Sequence, residues 1–162
     1  MHLGVVLLVW KVVQCGRKWG NAMLIGEYHH NLDEKNRLMM PAKTLGHLGE
    51  EVIVSRGFEK CLMVYPVEKW NRVVEKFSEL SITKSDTRKF MRILLSGATS
   101  CKFDAHARIC IPAVLKEYAG LNKECAILGL DDHLEIWSED AYNAFLNDNL
   151  ESFASIAEQL YE

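Results

Sequence analysis

The strongest constraint on this chain is an internal repeat. The segment from Leu32 to Ala42 aligns with Phe103 to Ala113, with Asp33 and Asp104, Arg37 and Arg108, Pro41 and Pro112, and Ala42 and Ala113 all identical and all 71 positions apart. Further along, Gly57, Leu62, Val64, Tyr65 and Trp70 match Gly129, Leu134, Ile136, Trp137 and Tyr142 at a separation of 72, as though one residue had been inserted between the two blocks of the second copy. Self-similarity at a fixed period means that one supersecondary unit has been used twice. The expected units are residues 23–93 and 94–162, preceded by a segment, 1–22, that the repeat does not include.

Each copy has the same local grammar. Leu24 to Tyr28 and Arg37 to Met40 are β-favouring runs on either side of a polar turn, Asp33 to Asn36, which is the pattern of a hairpin with Asp at its start. Pro41 ends the strand and opens a short helix, because proline lacks the N–H that a ladder needs and suits the first helical turn. Glu51 to Ser55 and Leu62 to Tyr65 form a second strand pair around Gly57. Pro66 opens a longer helix with apolar residues Trp70, Val73, Val74, Phe77 and Leu80 at helical spacing. Its counterpart is expected to start at Ser138 and to run on through Tyr142, Phe145, Leu146, Leu150, Phe153 and Ile156. Phe90, Met91, Leu94 and Leu95 mark a further helix between the copies.

Composition narrows the class. With 49% apolar and 25% charged residues, the chain has the balance of a soluble globular protein. The apolar run Val5 to Trp10 is too short to span a bilayer, and Lys11, Arg17 and Lys18 follow it, where a signal peptide has its cations first. Gly20-Asn21-Ala22 does have the small-x-small form of a cleavage site. The abrupt change at Met23 favours an extension, or a start at Met23. Setting aside those three cations leaves 16 basic and 22 acidic residues, a net charge of −6. The five cysteines are odd in number and scattered without a C-x-x-C pair, which points to buried thiols in a reducing cytoplasm rather than a disulfide framework or a metal site.

The twice-used Asp-x-x-x-Arg is the chemical motif. An Asp at a turn start bonds its own backbone, so Asp33 and Asp104 read as turn-stabilising clasps. A guanidinium held on a rigid hairpin can also present its remaining donors, and its planar fork matches a phosphate or guanine O6 and N7. A two-stranded ribbon fits the major groove. Together with Met23 to Tyr28, Lys35, Pro41-Ala42-Lys43 and the echo from Asp104 to Pro112, these residues resemble the MraZ family of bacterial transcriptional regulators.

That resemblance covers the chain from Met23 nearly to its end. It implies an α+β fold of tandem duplicated, swapped-hairpin, AbrB-like double-split β-barrel units with flanking helices, assembled into a ring-shaped homo-oligomer. It further implies a cytoplasmic, nucleoid-associated repressor that binds double-stranded DNA at direct repeats in front of its own division and cell-wall operon. Lys35, Arg37 and Arg108 would be the DNA-binding residues, with Arg37 on an exposed turn and G-rich repeats preferred. Where glycine commonly precedes each arginine in the family, this chain has Asn36 and Ala107. Ala tolerates a left-handed backbone poorly, so the second turn is expected to differ in geometry or to contribute less to DNA contact.

Two other classes fit the residues less well. An enzyme would need more than Asp33, Asp104, His29, His30 and His106, which come without a nucleophile elbow, a phosphate-binding loop or metal-ligand spacing; no cofactor or metal is expected. An antitoxin-like interaction module of the same superfamily would carry one hairpin unit and a polar tail, whereas here there are two units and an apolar-striped C-terminal segment.

Overall fold

The computed structural model describes residues 23–161, and the expectations for residues 1–22 lie outside the described residues. In chain order the first copy supplies β1 (Leu24–Asn31), β2 (Arg37–Met39), α1 (Ala42–Leu48), β3 (Glu51–Arg56), β4 (Leu62–Pro66), α2 (Val67–Ser78) and most of α3 (Ser85–Ser96). The rest of the described chain supplies β5 (Thr99–Lys102), β6 (Arg108–Cys110), α4 (Ala113–Tyr118), β7 (Glu124–Asp131), β8 (Leu134–Ser138), α5 (Glu139–Asn149) and α6 (Phe153–Gln159). The fold is α+β with antiparallel ladders and, among the described residues, six helices. Residues Met23–Glu139 form one compact unit, and the residues from Asp140 onward belong to another.

Within Met23–Glu139 the two copies are interleaved rather than placed side by side. One six-stranded sheet has the order β1-β7-β8-β4-β3-β5, and β2 pairs with β6 in a separate ribbon. Four of the six ladders join strands of different copies: β1 with β7, β2 with β6, β3 with β5, and β4 with β8. The expected hairpin between the first two strands is therefore corrected. Among the described residues only the isolated Leu32–Leu38 bridge links the two arms of the turn, and β1 and β2 each find their ladder partner in the other copy.

The pairing has an internal twofold symmetry. Exchanging β1 with β5, β2 with β6, β3 with β7 and β4 with β8 reverses the sheet order and leaves it unchanged. The axis passes where a residue meets its own counterpart, at Leu38 opposite Ile109 in the ribbon and at Met63 opposite Glu135 between β4 and β8. These pairings also correct the repeat register. Val54 pairs with Val64 as Ile127 pairs with Ile136, so β3 and β7 are 73 positions apart and Arg56, not Gly57, corresponds to Gly129. The β7–β8 turn has one residue fewer than the β3–β4 turn. Gly129 serves a different purpose from Gly57: a Cβ there would lie 2.5 Å from the Ile25 backbone, so β1 can approach β7 only at a glycine.

The core follows from strand alternation. Leu38 and Ile109 point inward from the ribbon, fully buried, and join Leu24, Val52, Val54, Leu62, Val64, Ile127, Leu134 and Ile136 in one apolar cluster. Residues alternating with those on β4, Met63 and Tyr65, face the other way, against Trp70 of α2 and Leu94 of α3, with Phe77 and Phe90 edge to face at 5.0 Å. Prolines open the helices as expected, Pro41 before α1, Pro66 before α2 and Pro112 before α4. Leu80 lies past the end of α2 and is exposed. The expected single C-terminal helix is two, α5 and α6. Asn149 Nδ2 donates to the Phe145 carbonyl and Ser152 Oγ to the Asn149 carbonyl, the kind of local side-chain competition that interrupts a helix.

Because Leu38 lies on the axis and contributes to the one ladder that carries both turns, Leu38→Ala is expected to lower stability by about 2–5 kcal/mol, the range for a buried leucine truncation. The measurement is the urea unfolding midpoint of the variant against the parent chain.

Candidate nucleic-acid interface

The β2–β6 ribbon presents one face to solvent. Arg37, Met39, Arg108 and Cys110 alternate with the buried Leu38 and Ile109, and the ladder sets Arg37 opposite Cys110 and Met39 opposite Arg108. The two arginines thus lie diagonally on a ribbon only three residues long, with the turns Asp33–Asn36 and Asp104–Ala107 at its opposite ends.

Each turn is closed by its aspartate. Asp33 Oδ1 accepts the backbone N–H groups of Lys35 and Arg37, both at 2.9 Å, and Oδ2 accepts Arg37 Nε at 2.7 Å. Asp104 repeats the arrangement, accepting His106 N at 2.8 Å, Arg108 N at 3.0 Å and Arg108 Nε at 2.7 Å. The backbone closes the same loop, with the Asp33 N–H donating to the Arg37 carbonyl and the Asn36 N–H to the Asp33 carbonyl. Such donors favour the ionised carboxylate. The Arg37 backbone N–H is the main cause that holds Asp33 below the usual Asp range, and the Arg108 backbone N–H is the main cause that holds Asp104 down at about 2.

The clasps set what the arginines can do. Nε is committed to the carboxylate, which restrains the plane of the guanidinium. Arg37 is the first residue of β2 and its side chain is 33% exposed, so the expectation of an exposed turn position is corrected to a half-buried strand position on the outer face. The Arg108 side chain is 24% exposed, and its Nη1 also lies 3.8 Å from Asp33 Oδ2, so it has a carboxylate on two sides. Lys35 is exposed at the tip of the first turn and His106 occupies the same place in the second.

The expectation of a different second turn is overturned. Ala107 adopts φ 58°, alongside φ 57° for Asn36. The clasp and the crossed bonds from Met40 N to the Ala107 carbonyl and from Ile111 N to the Asn36 carbonyl hold Ala107 in the left-handed region despite its side chain. A contact with no local sequence signal distinguishes the turns instead: Lys116 Nζ of α4 donates to Asn36 Oδ1 at 2.9 Å. The second turn lacks a counterpart, because the residue at the Lys116 position in the first copy is Leu45.

The family model described as "MraZ protein, putative antitoxin-like" matches the chain twice, over residues 23–93 and 94–162. The "Transcriptional regulator MraZ" of Lactobacillus gasseri is 44% identical over 138 residues, which cover 85% of this chain and 96% of that protein. The chain belongs to the MraZ family. Its Asp-x-x-x-Arg pairs are the clasps just described, so within this MraZ member the repeated motif is a structural unit that aims an arginine from each copy.

The histidines weighed as acid–base groups lie elsewhere. His29, on β1, bonds Glu139 Oε2 at 2.7 Å and Glu27 Oε1 at 2.9 Å, and the Glu139 bond chiefly raises its pKa. Cys61, Cys101 and Cys125 are buried free thiols whose pKa values burial raises to about 12, 11 and 11. Such thiols are poor nucleophiles. Among the described cysteines Cys110 is the exposed one, on the outer ribbon face.

Two outcomes are expected. Ala107→Gly relieves the left-handed alanine and should raise stability by about 0.5–1 kcal/mol, the strain less the added backbone entropy of glycine, read as a higher urea midpoint at unchanged slope. Because the folded pKa values of Asp33 and Asp104 are depressed, their contribution to stability is present above the usual Asp range and is lost as the pH falls through the depressed values. Melting temperatures between pH 7 and pH 2 should therefore drop less steeply for Asp104→Asn than for the parent chain.

Proposed function

We propose that this protein is a sequence-specific DNA-binding transcriptional regulator, cytoplasmic and nucleoid-associated, that represses its own operon by binding G-rich direct repeats in the promoter as a ring-shaped homo-oligomer. The observation that carries the reading is the outward face of the β2–β6 ribbon, where Arg37 and Arg108 are held through Nε by the aspartates while their side chains stay 33% and 24% exposed. The name of the Lactobacillus gasseri relative supports the regulatory role. Strand exchange between the copies is what a swapped-hairpin, double-split barrel requires, and it supports that architecture.

Electrostatics supports the oligomer. Each arginine is neutralised by its own aspartate, and the chain from Met23 onward is acidic, so one copy binds a polyanion weakly. Several ribbons engaging several repeats act together through high effective concentration. Phosphate contacts from Lys35 and the turn set the register, and a bidentate arginine discriminates guanine by about 1–3 kcal/mol.

Arg37→Ala is expected to abolish binding to the DNA upstream of residue 23, with the melting temperature lowered by loss of the Nε–Asp33 bond but the protein still folded at the temperature of the assay. If Arg37 reads guanine, the residual preference at one base pair relaxes; if it contacts phosphate, affinity falls for all sequences and the salt slope decreases by about 1. A gel-shift series at two salt concentrations distinguishes these. Full specific binding by Arg37→Ala would overturn the assignment.

A further inference from the structure

The two ends of the ribbon have nearly the same backbone and different charge. At the first turn Asp33 and Glu34 are balanced by Lys35 and Arg37, which leaves the turn formally neutral. At the second, Asp104 is balanced by Arg108, and Lys102 and Glu50, which line the cavity beside it together with Leu45 and Ala107, cancel one another. Neither turn by itself presents a net cation to a polyanion. Lys116 changes the balance at one of them. Its Nζ sits 2.9 Å from Asn36 Oδ1, between Lys35 and Arg37 in sequence, and no carboxylate pairs with it among the described residues. Arg108, by contrast, has Asp104 at 2.7 Å and Asp33 at 3.8 Å.

We infer that Lys116, supplied by the second copy, is part of the DNA-contacting surface of the first turn and makes that turn the dominant phosphate contact of the ribbon. The inference rests on the DNA-binding reading given above. The geometry explains how one side chain serves both purposes. An ammonium has three donors; the amide oxygen of Asn36 takes one and anchors the long side chain at the turn, and the other two remain for phosphate oxygens. Anchoring removes rotamer freedom before DNA arrives, so less is lost on binding. The opposite end cannot do this, because Leu45 and Ala107 stand where Lys116 and Asn36 stand here.

The test is a fluorescence-anisotropy titration of the full chain against a promoter-repeat duplex at four salt concentrations between about 0.05 and 0.3 M, with melting temperatures measured in parallel. Lys116→Gln keeps an amide donor for Asn36 and removes the charge. It should weaken binding about three- to tenfold near 0.15 M salt and reduce the log–log salt slope by about 1, the signature of one lost phosphate contact, with the melting temperature nearly unchanged. Lys116→Arg should restore the slope. Leu45→Lys, placing a cation at the symmetric position, should increase the slope by about 1. An unchanged affinity and slope in Lys116→Gln would overturn the inference, and so would a weaker affinity at unchanged slope, since that is a purely structural role. In either case loss of binding in Arg37→Ala would leave the DNA-binding reading standing. If the parent chain itself shows no preference for the repeat duplex, both readings fall together.

Discussion

Everything at the outer surface depends on a ladder of three residue pairs. Leu38 and Ile109 meet across the internal axis with both side chains fully buried, and this contact is what turns Arg37, Met39, Arg108 and Cys110 to the opposite face. A ribbon this short is too small to be stable in water by itself. Its stability comes from the apolar cluster beneath it and from the aspartate clasps that close its ends with three hydrogen bonds each. Burial fixes the facing, and the clasps fix the aim.

The clasp also limits the electrostatic role of the arginines. A guanidinium tied to a carboxylate brings direction at the expense of net charge, so any unclasped positive charge near the first turn has to come from lysines. Lys35 and Lys116 are such groups, one on the tip of a turn and one reaching it from a helix.

Much of this was legible in the chain because it is local. The prolines announced α1, α2 and α4; the alternation around Gly57 gave β3 and β4; and the doubled Asp-x-x-x-Arg announced two like turns whose aspartates bind their own backbone. What was not legible is pairing between distant strands. Leu24 to Tyr28 and Arg37 to Met40 look like a hairpin to any local rule, and nothing in their residues says that β7 and β6 will take them instead. The glycine match at Gly57 and Gly129 was misleading for a related reason, since one glycine belongs to a turn and the other to a close strand approach. Ala107 shows tertiary bonds overriding a backbone preference, and the Lys116–Asn36 contact spans 80 positions. Half-burial of Arg37 follows from the clasp, which draws the side chain back along the strand.

The internal axis has a consequence for how such a protein can change over generations. In a dimer of identical chains, any substitution on the ribbon is made twice and the symmetry survives. Here the twofold partners are encoded separately, so Asn36 and Ala107, or Leu45 and Lys116, can differ on a shared scaffold. Fusion of the two halves into one polypeptide has therefore freed each end of the ribbon to specialise independently.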